Sequence, residues 1–192
     1  MASGSSFLWA DTMTNLRGVT GSDSSSASEP AILLGGYTAP NDGGGGLFYW
    51  DASSSSGDDG GTIIVPTGST TGRWKRIYTG PLDIRWFGAS TSAADNEASI
   101  ELAIKAAGTP GAAILIPAGT YNLTSLTVPA NVALQFENGA VLNPTGIVTI
   151  LGPVIAHESQ QIFAPSARIS FFSGLVGNSH TYEVYAAWFG AV

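Results

Sequence analysis

Short apolar runs separated by Gly-, Asp- and Pro-rich turns cover most of the chain, and this alternation predicts a β protein. Between residues 31 and 80 the runs are four to seven residues long, a usual length for hairpin strands. They lie at residues 31–34, 47–51, 62–66 and 72–78. We predict a small antiparallel β module at residues 30–81, whose thin core needs a neighbouring copy or domain.

One segment has the periodicity of a helix. Residues 95–107 place Ile100, Ala103 and Ile104 on one face, and Gly108 follows as a stop signal. Acidic residues fill the first turn, where the helix dipole is positive. Because the helix stands alone among predicted strands, we expect it to cap a β structure.

The chain beyond the helix consists of short apolar runs separated by Pro, Gly and Asn. The runs lie at residues 113–116, 121–123, 126–128, 132–136, 140–142, 147–151, 154–156, 161–163 and 169–172. Such strands fit a sandwich or a solenoid. The preceding helix favours the solenoid, with coils of roughly 20–25 residues. We therefore predict a short β-helix at residues 112–180.

The first 29 residues are rich in Ser, Thr and Gly, and two apolar islands interrupt them. We predict that residues 1–29 form a flexible anchoring arm, because they offer little apolar surface to offset the entropy of ordering. A partner would then bind the islands through Phe7, Leu8, Trp9, Leu16 and Arg17. A frayed terminus with incidental apolar residues is the alternative interpretation.

Charge is scarce in this chain. Only 11% of the residues are charged, against about a quarter in ordinary soluble proteins, which is typical of β-rich extracellular or virion structural proteins. The net charge is −7, and seven Lys and Arg residues cannot supply the clustered cations that nucleic acids need. The basic cluster around Trp74 is interpreted as a strand end, so nucleic acid is not expected as a partner.

The absence of Cys excludes disulfides and thiolate metal sites. The longest uncharged apolar stretch, residues 146–156, is interrupted by Gly152-Pro153 and is shorter than the roughly 20 residues that span a bilayer. The N-terminus has no signal-peptide pattern. We expect neither membrane insertion nor export by an ordinary signal.

The tetrapeptide Trp-Phe-Gly-Ala occurs twice, as Trp86-Phe87-Gly88-Ala89 and as Trp188-Phe189-Gly190-Ala191. Two copies of so unusual a combination indicate repeated module junctions. We predict that residues 82–111 hold the first junction and the capping helix, and that residues 181–192 form a second junction. The natural protein is expected to continue beyond Val192.

Several motifs occur together in one order. They are Leu33-Leu34-Gly35-Gly36-Tyr37, Asp42-Gly43-Gly44 with the aromatic run ending at Trp50, Asp59-Gly60-Gly61-Thr62, the segment Gly72-Arg73-Trp74-Lys75-Arg76, and the first Trp-Phe-Gly-Ala. This ordered set resembles the N-terminal region of bacteriophage tailspikes and tail fibres. The segments at residues 95–107 and 114–121 resemble the entry of the pectate-lyase-like right-handed β-helix of the same proteins.

The resemblance implies a homotrimer on the phage tail that docks on tail, baseplate or capsid proteins. It also implies a longer C-terminal part that binds a receptor or cleaves host surface polysaccharide. Eleven motif residues are predicted to be structural: Asp42, Gly43, Gly44, Trp50, Trp74, Trp86, Phe87, Gly88, Trp188, Phe189 and Gly190. Stacking of carbohydrate on Trp50, Trp74, Trp86 or Trp188 is the functional alternative.

Candidate catalytic groups are sparse. Glycoside cleavage uses two carboxylates across the sugar, and after Glu101 the chain has Glu137, Glu158 and Glu183 at coil-length spacing. Two of these could stack on one face, but isolated surface acids are the favoured interpretation. The Asp residues at 42, 58 and 59 fit Gly-rich turns better than a metal site, and His157 and His180 are interpreted as incidental. We expect no catalytic residue, metal or cofactor.

These observations predict a virion structural protein, the attachment region of a phage tailspike or tail fibre that carries the distal host-recognition part. One alternative is a complete small fibre-adaptor or capsid decoration protein of the same fold. Another is part of a β-helix polysaccharide depolymerase whose active site lies beyond Val192.

Overall fold

The computed structural model of the chain describes residues 8–21, 31–108, 111–171 and 184–191. The chain divides into two units. Unit 1 comprises Met1–Thr79 and Arg85–Gly88, and unit 2 comprises Gly80–Ile84 and Ala89–Val192, each as far as its residues are described.

Unit 1 is built on a five-stranded sheet with the order β1-β2-β3-β5-β4. Its strands are β1 (Leu8–Ala10), β2 (Ala31–Leu34), β3 (Gly46–Asp51), β4 (Ile63–Ile64) and β5 (Arg73–Arg76). Strands β2 to β5 pair antiparallel, as predicted. Strand β1 is an addition, since it pairs parallel with β2 at the edge of the sheet.

One face of this sheet carries the core of unit 1. Ile32, Phe48, Ile64 and Trp74 are fully buried there. A short helix, α1 (Met13–Arg17), packs on the same core through Met13 and Leu16. Its first turn is capped by the hydroxyl of Thr12, which accepts the Asn15 N–H at 3.3 Å.

The prediction of a flexible arm at residues 1–29 is wrong for residues 8–21. This segment supplies β1, α1 and five members of the unit 1 cluster, namely Leu8, Ala10, Met13, Leu16 and Val19. Composition suggested disorder because it counts only the apolar surface of the segment itself. The segment instead orders by completing the core that β2, β3 and β5 leave open. Phe7 and residues 22–30 lie outside the described part of the chain.

Unit 2 contains parallel strands throughout its sheets. A first strand, β6 (Leu82–Asp83), precedes helix α2 (Glu97–Ala107). The later strands are β7 (Ala113–Ile116), β8 (Gly119–Leu123), β9 (Leu126–Val128), β10 (Ala133–Phe136), β11 (Ala140–Pro144), β12 (Ile147–Ile150), β13 (Val154–Ile155) and β14 (Arg168–Phe171). They stack as three sheets, ordered β13-β10-β7-β6, β11-β8 and β14-β12-β9.

The strand register shows that unit 2 is a β-helix. Ala113 pairs with Ala133, which is 20 positions later, Gly119 with Ala140, 21 positions later, and Leu126 with Val148, 22 positions later. Each coil therefore adds one strand to each sheet, which excludes the sandwich. The predicted strand at residues 161–163 is reduced to a bridge between Phe163 and Leu142.

Helix α2 packs on β6, β7 and β9 through Ile100, Ala103 and Ala107. It begins two residues after the predicted start, because Asp95 and Asn96 bond other segments instead. The carboxylate of Asp95 accepts the hydroxyl of Thr124 at 2.7 Å, and buried Asn96 donates to the carbonyl of Asn122 at 2.9 Å. Among the described residues, no helix has the length and apolar character needed to cross a membrane.

Candidate functional site

The Asp-Gly turn at Asp42 is an organising element of unit 1. The Asp42 carboxylate accepts backbone N–H groups of Tyr37, Thr38, Ala39 and Gly44 at 2.7–3.0 Å. Partial burial by itself raises the pKa of Asp42, but the four donors stabilise the charged form and together hold its pKa below the ordinary value. The carboxylate therefore closes a loop of its own backbone.

Asp58 and Asp59 act in the same way in the next turn. Asp59 accepts the N–H groups of Gly61, Thr62 and Ile63 at 2.7–2.9 Å. Asp58 accepts the N–H groups of Gly60 and Val65, and it also forms an ion pair with Arg17. In the described ranges, no three His, Asp and Glu side chains gather as a metal site requires.

Burial raises the pKa of Asp58, and the hydrogen bond from Arg17 opposes this effect. With the backbone donors, the guanidinium leaves the pKa of Asp58 below its ordinary value. Because Arg17 belongs to α1, the ion pair ties this helix to the Asp-Gly turn.

The proposed docking residues have different environments. Leu16 is fully buried and Arg17 is paired with Asp58, so the prediction of Leu16 as a partner-binding residue is wrong. Leu8 is half-buried against the core, whereas Trp9 is exposed. Phe7 lies outside the described residues. The structure therefore does not bring these five residues together as one exposed site.

Trp50 and Trp74 lie opposite each other on β3 and β5, with ring centres 5.1 Å apart. Trp74 is fully buried, and its indole N–H donates to the carbonyl of Val19 at 2.8 Å. A buried ring of this kind cannot stack on carbohydrate, so Trp74 has a structural position. Gly72 leaves room for the Trp50 ring, because a Cβ there would lie 2.2 Å from it.

Arg76 is a buried cation that sequence reasoning missed. Its guanidinium donates to the carbonyls of Gly44, Gly45 and Gly61 at 2.7–2.9 Å. It also lies 4.6 Å from the ring centre of Phe48 and 4.7 Å from that of Trp86. The signal in the sequence that could have revealed the burial of Arg76 is the alternation of inward and outward residues along β5.

Residues two apart on a strand share a face, so Arg76 follows buried Trp74 inward. The run of basic residues around Trp74 in the sequence predicts only a basic strand end. In the structure, three carbonyls of the Gly-rich turns accept hydrogen bonds from the Arg76 guanidinium.

The two Trp-Phe-Gly-Ala copies have the same local structure. Each ends a 3₁₀ helix, Ile84–Phe87 in the first copy and Ala186–Phe189 in the second. Each glycine has a positive φ, 94° at Gly88 and 80° at Gly190. The glycine N–H donates to the carbonyl three residues earlier, and the alanine N–H to the carbonyl five residues earlier, in both copies. The repeat is therefore a structural turn.

The surroundings of the two copies differ. In the first copy, the Trp86 ring contacts the Arg76 guanidinium. The Phe87 ring packs so closely on Gly61 that a Cβ there would lie 2.5 Å from it. In the second, the carbonyl of Trp188 accepts the N–H groups of Ile162 and Phe163, at 3.1 and 2.9 Å. The second copy therefore packs on the last described coil of unit 2, where the Phe189 and Phe163 ring centres are 5.3 Å apart.

Among the described residues of unit 2, the candidate acids do not form a catalytic pair. Glu101 lies on the exposed side of α2, and Glu137 and Glu158 lie in exposed turns after β10 and β13. Glu137 accepts the Ala118 N–H at 3.1 Å and so stabilises the turn of the preceding coil. The Nδ1 atom of His157 lies 2.8 Å from the Ser159 hydroxyl. Glu183 and His180 lie outside the described residues.

Residues 10–79 match the family model of the phage tail protein small four-stranded beta-sheet domain. The match contains β2, β3, β4 and β5, which are the four antiparallel-paired strands of unit 1. No curated protein matches the sequence.

Solved tailspike structures share the fold. The chain is similar to the enzymatically active domain of bacteriophage CBA120 tailspike protein 2, with 14% identity, a TM-score of 0.64, and coverage of 92% of this chain and 28% of that one. The Acinetobacter phage vB_ApiP_P1 tailspike has 18% identity and a TM-score of 0.60, with coverage of 84% of this chain and 31% of that one. A tailspike of Acinetobacter baumannii bacteriophage Fri1, described as a capsular polysaccharide depolymerase, has 17% identity and a TM-score of 0.57. The match covers 82% of this chain and 35% of that one.

The chain thus spans about a third or less of the length of these tailspikes. At this level of identity the likeness shows the fold, a β-helix preceded by a small β module. The chain therefore resembles phage tail proteins by family at residues 10–79 and by fold over most of its length, which supports a structural or host-binding role in the virion tail.

Proposed function

We propose that this chain is the attachment region of a phage tailspike or tail fibre. In this proposal unit 1 docks on tail, baseplate or capsid proteins, and the β-helix of unit 2 carries the host-recognition part. The observation that carries the proposal is the match of residues 10–79 to a phage tail domain. The order of elements, with the small module first and the β-helix after it, supports the same reading.

We further propose that the attachment module begins near residue 8. Strand β1 and helix α1 contribute buried side chains to unit 1, and Arg17 pairs with Asp58. An attachment part must transmit force, and a module closed by its own core and ion pair is suited to that task. The assembly is proposed to be a homotrimer.

The proposed role of this chain is mechanical and not catalytic. The described acids at positions 101, 137 and 158 are exposed, and Glu137 bonds the backbone of a neighbouring turn. Any depolymerase chemistry is proposed to belong to a longer protein, because this chain covers only 28–35% of the similar tailspikes. The depolymerase alternative has support from the description of the Fri1 tailspike.

The two Trp-Phe-Gly-Ala turns are proposed to mark module junctions at residues 82–111 and 181–192. Support comes from the shared 3₁₀ helix and the shared positive-φ glycine of the two copies. The first copy precedes a β-helix in the chain, and the second is proposed to precede another module of the natural protein.

The test is to locate the chain in the virion. Antibodies raised against the 192-residue chain should label the tails of purified particles of the encoding phage in electron micrographs. Labelling confined to the capsid shell would favour the decoration-protein alternative, and unlabelled particles would overturn the proposal. In parallel, the purified chain should release no oligosaccharide from host capsule. Measurable turnover would contradict the mechanical role.

A further inference from the structure

The five-stranded sheet of unit 1 has two edges, formed by β1 and β4. Backbone N–H and C=O groups that point outward from a sheet edge can pair with a strand of another chain unless residues of the same protein already bond them. The two edges of this sheet differ in that respect.

The β4 edge is closed by residues of unit 1. The N–H of Ile63 donates to the Asp59 carboxylate at 2.8 Å, and the carbonyl of Ile63 accepts the Asp59 N–H at 3.1 Å. Two residues later, the N–H of Val65 donates to the Asp58 carboxylate at 2.7 Å, and its carbonyl accepts the Arg17 guanidinium at 3.4 Å. A strand of another chain therefore cannot pair with β4 unless these bonds break.

The β1 edge is open as far as the chain is described. The carbonyl of Ala10 accepts the Gly35 N–H at 2.8 Å, so the backbone groups of Ala10 face β2. Successive residues of a strand direct their backbone groups to opposite sides, so the N–H and the carbonyl of Trp9 face away from the sheet. No hydrogen bond joins either of these groups to another described element. Trp9 therefore offers one donor and one acceptor to a further strand.

The side chain of Trp9 is held in place beside this edge. Its indole N–H donates to the Asp11 carboxylate, and its ring packs so closely on Gly35 that a Cβ there would lie 2.9 Å from it. The side chain is still 55% exposed, and it lies next to Leu33 of β2, which is 39% exposed. Because the ring is already fixed, a partner that packs on it has little side-chain entropy left to overcome.

We propose that β1 binds an extended segment of a virion tail protein as a sixth strand of this sheet. The N–H and the carbonyl of Trp9 pair with the backbone of the segment, and apolar side chains of the segment pack on Trp9 and Leu33. Asp11 is exposed at this edge, and the chain has a net charge of −7. These charges favour a neutral or basic segment over an acidic one.

This inference rests on the proposed function, since the partner is taken from the virion tail, and it adds the surface and the mode of docking. Strand β1 has only three residues, so the added strand gains few backbone hydrogen bonds. Trp9 is therefore expected to supply most of the affinity, as Trp residues often do at protein interfaces.

The test uses the purified 192-residue chain and particles of the encoding phage that lack this protein because its gene carries a nonsense mutation. Co-sedimentation over a range of chain concentrations measures binding to the particles. Trp9→Ala removes the ring and keeps the backbone N–H. Trp9→Pro also removes the N–H, which faces away from β2, so the pairing of β1 with β2 is kept.

The matched control is Tyr78→Ala, which removes an aromatic side chain of unit 1 that is 44% exposed and follows β5. Circular dichroism and thermal unfolding first establish that all three variants are folded. We expect Trp9→Ala to weaken binding by about tenfold or more, and Trp9→Pro to weaken it several-fold further. Tyr78→Ala should bind as the native chain does.

The outcomes separate this inference from the proposed function. Particles that bind the native chain and all three variants equally would overturn the inference and leave the proposed function standing. Equal binding of Trp9→Ala and Trp9→Pro would overturn the strand pairing, and an equal loss in Tyr78→Ala would overturn its location at β1. A native chain that does not bind the tails would overturn both.

A photo-cross-link identifies the occupant of the edge directly. Benzoylphenylalanine in place of Trp9 keeps an aromatic side chain there, and on illumination of the particles it should join the chain to a tail protein. A cross-link to a second copy of this chain, or to residues 1–7 or 22–30 of the same copy, would overturn the inference.

Discussion

The Arg76 guanidinium lies 4.7 Å from the ring centre of Trp86, the first residue of the repeated tetrapeptide. The same cation donates to three carbonyls of the Gly-rich turns in unit 1. One buried side chain therefore joins the sheet, two Gly-rich turns and the first Trp-Phe-Gly-Ala turn. This arrangement explains why an acidic, charge-poor chain retains an arginine in the interior of a small module.

Replacement of Arg76 by Met should strongly destabilise unit 1. The substitution keeps the aliphatic length but leaves the carbonyls of Gly44, Gly45 and Gly61 without their buried donor. We expect a loss of about 2–4 kcal/mol in the free energy of unfolding, measured by urea denaturation. Lys75→Met is the matched control, since Lys75 is a neighbouring strand cation with a partly exposed ion pair, and it should cost about 1 kcal/mol or less. Equal losses in the two variants would contradict the assigned role of Arg76.

Removal of the Asp42 carboxylate should open the turn that it closes. Asp42→Ala leaves four backbone N–H groups without their acceptor, and we expect a loss of about 1–3 kcal/mol, because part of this turn remains open to water. Amide hydrogen exchange at Tyr37, Thr38 and Ala39 should accelerate. Glu101→Gln, which changes an exposed acid on α2, should alter neither measurement. Unchanged exchange in Asp42→Ala would show that the turn is held by other contacts.

Stability should fall in acid because the pKa values of Asp42 and Asp58 are lowered in the folded chain. A group with a lowered folded pKa contributes stability above its unfolded pKa, which is about 3.9 for Asp. That contribution is lost as the pH falls from about 5 through the folded pKa. Urea denaturation between neutral and acidic pH measures the effect. The variant Asp58→Asn should have a flatter profile, and a stability that rises toward acid would contradict the assignment.

The glycines of the two Trp-Phe-Gly-Ala turns should tolerate alanine unequally. Both have positive φ, so alanine costs about 1–2 kcal/mol in backbone strain at either position. At Gly88 the new Cβ would also lie 2.6 Å from the Tyr37 ring, whereas at Gly190 it would lie 3.2 Å from the flexible side chain of Gln161. Thermal unfolding should therefore show the larger loss for Gly88→Ala.

Gly57 provides the control for this comparison, because no atom lies within 4 Å of a Cβ there. Gly57→Ala should be neutral or slightly stabilising. A smaller loss for Gly88→Ala than for Gly190→Ala would contradict the described packing of Gly88 against Tyr37.

The placement of Leu16 in the core can be tested directly. Leu16→Ala should cost about 2–5 kcal/mol, because it leaves a cavity between α1 and the sheet. Leu33→Ala, at a side chain of β2 that is 39% exposed, should cost less than half as much. A negligible effect of Leu16→Ala would restore the flexible-arm interpretation of this segment.

Local sequence patterns were sufficient to predict the positions of most strands and of helix α2. Strands β2 and β7 lie where the apolar runs predicted them, and α2 starts within two residues of its predicted start. These elements follow from periodicity and turn residues, which neighbours in sequence determine. The parallel coils followed from strand length and from the helix that precedes them. The resemblance to phage tail proteins rested on the same local motifs and was confirmed by the family match.

Pattern alone did not reveal β1, α1 or the role of Arg76. Each depends on partners far away in the chain, since β1 needs the edge of β2 and Arg76 needs carbonyls about 15 and 30 residues earlier. The sequence by itself determined a β module followed by a β-helix, because alternation and turn chemistry are local. Only the tertiary structure decided which residues close the core and which apolar residues, such as Trp9 and Leu33, remain exposed. Burial depends on all the segments that meet at a point, and no single segment contains that information.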